Sequence, residues 1–387
     1  MLTAILLFIA ILSLLVFVHE LGHFIVARKF GVKAEEFGFG IPPRIIGIVK
    51  NDQGKWEVVP GKSKKEYKRT ILSLNWIPVG GFVKIKGESG EAGQDEDSFV
   101  AKTIWKRILI ISAGVIMNVI LAAVILSAGF IIGLPTVLEN LPESARVRDR
   151  QIQIFGVLPE TPASEAGIES GDTILSLNGN KLIETENLQN YVHEHADEEI
   201  TMVISRRGEE ITYAMSPVIL EETGEPGFGV SLADVGLVSY PPHVAVWEGT
   251  KSTVVLTGRI TAAFYELFKN MIVRQEIAVD LSGPVGIAVI TGKVANMGFA
   301  YVIQFAALLS INLAIVNFLP FPALDGGRVL FMVVEKIRRK PIDRRVEAII
   351  HNTGFIILLL LLALVTLRDV SRVSDKIIGG LKSLIGM

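Results

Sequence analysis

Four stretches of this chain, at about residues 2–25, 106–133, 299–320 and 347–367, are long and almost unbrokenly apolar. About 20 such residues in a helix cross the hydrocarbon core of a bilayer. At that depth backbone N–H and C=O groups have no water to bond, so the stretches must be helical. Hydrophobic residues make up 50% of the 387, and the mean hydropathy is +0.47. The expected fold class is a polytopic α-helical membrane protein with about four transmembrane helices. The first run, LTAILLFIAILSLLVFV, has no positive segment before it and no small-residue cleavage site after it, so it reads as a retained helix. A net charge of −2, with no basic, aromatic-interleaved module, argues against a nucleic-acid partner. The lipid bilayer is the expected surroundings. The chain has no cysteine, which excludes disulfides and thiolate ligands and leaves His, carboxylate or carbonyl groups to hold any metal.

The connections after the first and third spans are rich in Lys and Arg, including Arg28, Lys29, Lys68 and Arg69 in one and Arg328, Arg338, Arg339 and Arg345 in the other. The positive-inside rule puts both on the cytoplasmic side. The organisation read from the sequence is a first transmembrane helix over 1–27, a cytoplasmic loop with a membrane-associated β-hairpin over 28–104, and a second helix over 105–135. An inserted α/β domain follows over 150–222. Its stretch PETPASEAGIESGDTILSLNG resembles PDZ domains, which take up extended peptide ends by strand addition. Beyond it come a linker with an amphipathic interfacial helix over 223–298, third and fourth transmembrane helices over 299–330 and 346–368, and a C-terminal tail over 369–387. The charges in residues 244–272 recur at helical spacing, which favours a helix lying on the membrane surface. EAGQDEDSF, at 91–99, reads as a solvated acidic loop.

Ionisable groups inside an apolar run carry the chemistry. The first span ends in FVHELGHFIVARKF, where His19 and His23 stand i, i+4 and project from one helix face, about 6 Å apart along the axis. HExxH is a zinc-binding pattern: the two His are ligands, and Glu20 is placed as general base for a water attacking a peptide carbonyl. A catalytic zinc keeps three protein ligands and one open position. Leaving Glu and His unpaired at membrane depth costs several kcal/mol, so such residues are functional by default. The best-placed third ligand is Asp325 in NLAIVNFLPFPALDGGRVL, where Pro320 and Pro322 break the helix. Broken backbone at membrane depth is tolerated where it lines a cavity. Glu335, Glu347 and His351 are rivals that lie closer to the basic connection.

HELGH at 19–23, NFLPFPALDGG at 317–327 and a PDZ-like insertion between them, with FGFG at 37–40, VGGFVKIKGE at 79–88, SAGVIMN at 112–118 and SGPVGIA at 282–288, resemble the site-2 protease family of intramembrane zinc metalloproteases, specifically its bacterial RseP-like group with one PDZ domain. The resemblance covers nearly the whole chain. It implies that His19, His23 and Asp325 bind Zn2+ and that Glu20 is the catalytic base. It also implies that Asn118 supports the oxyanion, and that Asn312 and Asn317 hold unwound substrate backbone. Family members often carry Pro where this chain has Val115. All three Asn also suit interhelical hydrogen bonds.

A helical peptide bond is shielded by its own hydrogen bonds, so a transmembrane substrate must unwind before it is cut. The stretch WIPVGGFVKIKGE, with Gly80, Gly81, Phe82 and Val83, suggests a hairpin whose edge accepts substrate as an added strand. The resemblance implies transmembrane protein substrates, such as pre-trimmed anti-sigma factors or remnant signal peptides, and a PDZ domain that reads or filters peptide ends. It implies a place in the bacterial inner membrane, with the PDZ domain extracytoplasmic and the active site near the cytoplasmic face. One rival is a membrane zinc peptidase for soluble peptides. Another is a non-enzymatic membrane PDZ scaffold or metal-handling protein, in which Glu20 would be dispensable.

Overall fold

The N-terminal apolar run forms one helix, α1 (Leu2–Lys29), whose buried Ile11, Leu15, His19, Gly22, His23 and Ala27 recur every three or four positions and so line one face. In the computed structural model the described residues are all but 1, 64, 66, 89–94, 182, 207, 222, 274–282, 341 and 385–387. Part of the expected acidic loop, at 91–94, therefore lies outside the described residues.

After α1 come β1 (Ala34–Lys50), β2 (Trp56–Pro60) and β3 (Ile71–Ile85), one sheet in the order β2-β1-β3. The sequence suggested a local hairpin around Gly80–Gly81, and here the structure corrects it. The two arms of β3 do not pair with each other, because the first half of β1 lies between them. Phe37 has both Val83 and Leu72 as partners, Gly38 both Phe82 and Ser73, and Phe39 both Gly81 and Leu74. Gly80 and Gly81 are buried against α1. A Cβ on Gly80 would stand 2.7 Å from Val16, and one on Gly81 would stand 3.1 Å from Phe17. The glycine pair thus permits a close approach of strand to helix, and Phe17 and Phe24 complete the seam against Phe37, with ring centroids 5.2 and 4.8 Å away. The second apolar run is α2 (Ile104–Ile132).

The inserted domain begins with β4 (Leu134–Val137) and continues through β5 (Arg146–Val157), α3 (Pro162–Glu165), β6 (Thr173–Leu177), α4 (Thr185–Glu194), β7 (Ile200–Arg206), β8 (Glu209–Met215), β9 (Val218–Ile219), β10 (Pro226–Gly227) and β11 (Val230–Ser239). Its main sheet has the order β4-β11-β5-β6-β7-β8. The expected bounds of 150–222 are too narrow, since β11, assigned from sequence to a linker, sits between β4 and β5. Its residues, VSLADVGLVS, do not alternate cleanly and its register shifts between Val235 and Leu237, so the period-two pattern did not mark it as a strand. Ile152, Ile154, Ile174, Leu177, Ile200, Met202 and Ile204 form the core with Leu188 and Val192 of α4, the period-two and helical faces meeting as elementary patterning requires. Asp172, at the Gly-Asp turn, is buried and takes two hydrogen bonds from the Arg206 guanidinium, at 2.7 and 2.6 Å.

The chain continues as α5 (Pro242–Val273), α6 (Pro284–Met297), α7 (Phe299–Phe318), α8 (Asp325–Arg338) and α9 (Arg344–Leu384). Two expectations change. The third apolar helix stops at Phe318, and the Asp325 motif opens a separate helix, because Pro320 and Pro322 cannot continue the α7 hydrogen-bond ladder. The C-terminal residues expected as a tail continue α9 as far as Leu384. Among the described residues, α1, α2, α7 and residues 345–371 of α9 are long and apolar enough to cross a membrane. By contacts the chain divides into one unit of Met1–Ile125, Thr250–Ala295 and Phe305–Met387 and another of Leu126–Gly249 and Asn296–Gln304. Every residue of the site below belongs to the first.

Candidate metal centre

Two imidazoles side by side in an apolar helix need room, and α2 provides it through Gly114. A Cβ at that position would stand 2.4 Å from His23 Nε2 and 2.7 Å from His19 Cε1, so no other residue fits without moving the rings. Gly22, between the two His, lets α1 lie against α2, where a Cβ would meet the Ala113 carbonyl at 2.4 Å. Both imidazoles are buried.

The third partner arrives from the far end of the chain. Asp325 is the first residue of α8, and its Oδ2 stands 3.0 Å from His19 Nε2 and 3.4 Å from His23 Nε2. The two Nε2 atoms are 3.2 Å apart. Donors at neighbouring corners of a tetrahedron with zinc–ligand bonds of about 2.0–2.1 Å are about 3.3 Å apart. The spacing of the three donor atoms therefore fits a zinc-sized ion. Among the described residues, His19, His23 and Asp325 form the group of His and acid side chains with metal-ligand spacing.

The supporting bonds are specific. His23 Nδ1 lies 2.9 Å from the Ile110 carbonyl oxygen; as that oxygen only accepts, the proton sits on Nδ1 and Nε2 faces the centre bare. His19 Nδ1 lies 3.3 Å from Asn118 Nδ2, and Asn118 is fully buried with, among the described residues, no partner for its Oδ1. Ser310 Oγ of α7 donates to the Asn118 backbone carbonyl at 2.8 Å. Glu20 Oε2 accepts the Val83 N–H of β3 at 3.1 Å, which aims the carboxylate from the same turn as His19. Arg328 of α8 donates to Glu88, just beyond β3, tying the strand to the helix that carries Asp325.

Other residues singled out from sequence are not in this three-residue group. Asn312 donates within its own helix to the Leu308 carbonyl at 3.1 Å, and Asn317 is half-buried near the end of α7. Phe82 and Val83 are half-buried in β3, whereas Gly80 and Gly81 face α1. Of the rival ligands, Glu335 pairs with Arg107 at 3.4 Å. His351 instead accepts the Ala323 N–H at 2.9 Å through Nδ1. Sequence reasoning missed that bracing role and that of the Ile110 carbonyl. The i, i+4 spacing of Gly114 and Asn118, matching that of the two His, signals only which face of α2 meets the rings.

An HExxH helix and a distant carboxylate meeting at one point, among helices long enough to cross a bilayer, define a membrane metallopeptidase centre. The chain belongs to peptidase family M50, the site-2 proteases, whose family model matches residues 7–361. It is 31% identical to the regulator of sigma-W protease RasP of Bacillus subtilis, with 94% of this chain and 97% of that one covered. It is 29% identical to the zinc metalloprotease RasP of Geobacillus kaustophilus, with the same shares covered. Over 22% of the chain it is similar, at 18% identity and a TM-score of 0.21, to the PDZ domain of the SdrC-like protein from Listeria monocytogenes, of which 92% is covered.

Proposed function

We propose that this chain is an intramembrane zinc endopeptidase that cuts transmembrane segments of single-pass membrane proteins. The observation that carries the reading is the convergence of His19, His23 and Asp325 at 3.0–3.4 Å, with Glu20 one residue from a ligand on a helix apolar enough to span. Zinc held there supplies positive charge that acidifies a water and stabilises an oxyanion. Glu20, oriented by the Val83 N–H, takes the proton from the attacking water as general base. It then returns that proton to the leaving amine.

The substrate must present an extended segment, and β3 beside Glu20 suits that task by strand addition. The exposed Ile41, Ile46, Leu74, Trp76 and Ile77 of its sheet suit contact with lipid, as a membrane-associated element requires. The inserted β-rich domain is read as a PDZ domain that meets peptide ends outside the cytoplasm, with the zinc site near the cytoplasmic face of a bacterial inner membrane. The Lys/Arg-rich connections support that orientation. The name of the Bacillus relative couples a family member to sigma-factor control, which supports anti-sigma factors as a substrate class.

The test compares wild type with Glu20→Gln and Asp325→Ala in detergent, measuring zinc content and cleavage of a model single-pass substrate. Glu20→Gln is expected to keep zinc and lose cleavage, and Asp325→Ala to lose both. Cleavage by Glu20→Gln would rule out the general-base role.

A further inference from the structure

The two ligand imidazoles are supported unequally. His23 has an acceptor at Nδ1, the Ile110 carbonyl at 2.9 Å, so its Nε2 is free to bind a metal. His19 faces an amide instead: Asn118 Nδ2 at 3.3 Å. An amide nitrogen donates. Opposite it, His19 Nδ1 must be the unprotonated nitrogen, which places the ring proton on Nε2, the atom that stands 3.0 Å from Asp325 Oδ2. That tautomer cannot ligate. At the same time Asn118 Oδ1 is buried without a partner among the described residues, which costs on the order of 1–3 kcal/mol. A half-turn of the amide about its last side-chain bond resolves both problems, because the two ends of an amide are nearly isosteric. Oδ1 then accepts from His19 Nδ1–H, and Nε2 is bare.

We propose that Asn118 is a positioning residue that sets the metal-binding tautomer of His19. This rests on the zinc protease reading and departs from an oxyanion role for Asn118. The placement supports it: Asn118 lies off Nδ1, whereas the site of reaction lies off Nε2, where Asp325 converges. Its side chain is fully buried, and its backbone is pinned by Ser310. A donor to substrate would need an open face. Partners of this kind that hold the distal nitrogen of a ligand His typically contribute 10–100-fold in metal affinity.

The experiment measures zinc dissociation constants of the full-length protein in detergent, by competition with a chromophoric chelator, for wild type, Asn118→Asp and Asn118→Leu. Absorption spectra of the cobalt-substituted forms and cleavage of the model substrate accompany them. Asp keeps an acceptor and Leu has none. Asn118→Leu is expected to bind zinc 10–100-fold more weakly with an altered cobalt spectrum, and Asn118→Asp to bind within a few-fold of wild type. Unchanged zinc affinity in Asn118→Leu with cleavage lost would overturn the proposal in favour of an oxyanion donor. Equal weakening in both variants would overturn it in favour of packing. Wild type that takes up no zinc would sink the protease reading itself, an outcome distinct from either.

Discussion

His351 of α9 accepts the backbone N–H of Ala323 at 2.9 Å, two residues before Asp325 of the candidate metal centre. Ala323 holds a left-handed φ of 74°, which a residue with a Cβ adopts only when its surroundings impose it. The imidazole is therefore part of what keeps the broken segment between α7 and α8 in shape. His351→Leu should leave that N–H unsatisfied and cost about 1–3 kcal/mol, seen as a lower denaturation midpoint, together with weaker zinc binding. Zinc affinity unchanged from wild type would show that the loop holds Asp325 without help from α9.

Gly114→Ala adds one methyl group where the nearest imidazole nitrogen is 2.4 Å away. Backbone of α2 and both rings would have to part. Zinc affinity should fall at least 10-fold, while Gly258→Ala, with nothing within 4 Å of its Cβ, should match wild type in the same titration.

Gly80→Val tests the seam between β3 and α1. The added side chain meets Val16 at 2.7 Å and must also adopt a φ of 71°, so the strand should lift from the helix and carry the Val83 N–H away from Glu20. Cleavage should drop by an order of magnitude or more with zinc content intact, because His19, His23 and Asp325 are on α1 and α8. Loss of zinc in step with cleavage would mean that β3 supports the metal ligands themselves.

Arg206→Leu addresses the inserted domain alone. The Asp172 carboxylate, through its hydrogen bonds, raises the Arg206 guanidinium above its ordinary range, so Arg206 stays charged at neutral and alkaline pH. Removing the guanidinium leaves the nearly inaccessible Asp172 carboxylate with the Glu169 N–H at 2.8 Å and should destabilise that domain by about 1–3 kcal/mol. Limited proteolysis of the full chain should show earlier cuts within residues 134–239, with zinc binding unaffected.

Local and periodic features were legible in the residues alone. Unbroken apolar runs dictate spanning helices wherever water is absent, i, i+4 spacing puts His19 and His23 on one face, and two prolines end α7 before Asp325. Each of these follows from backbone sterics and hydrogen-bond accounting over a few consecutive residues. What meets across the chain was settled only by folding: Asp325 with two His some three hundred positions earlier, Gly114 beneath both rings, β1 threaded between the arms of β3, and β11 between β4 and β5. Those contacts depend on which faces pack together. Packing is settled by shape and burial summed over many residues, so no short stretch encodes it.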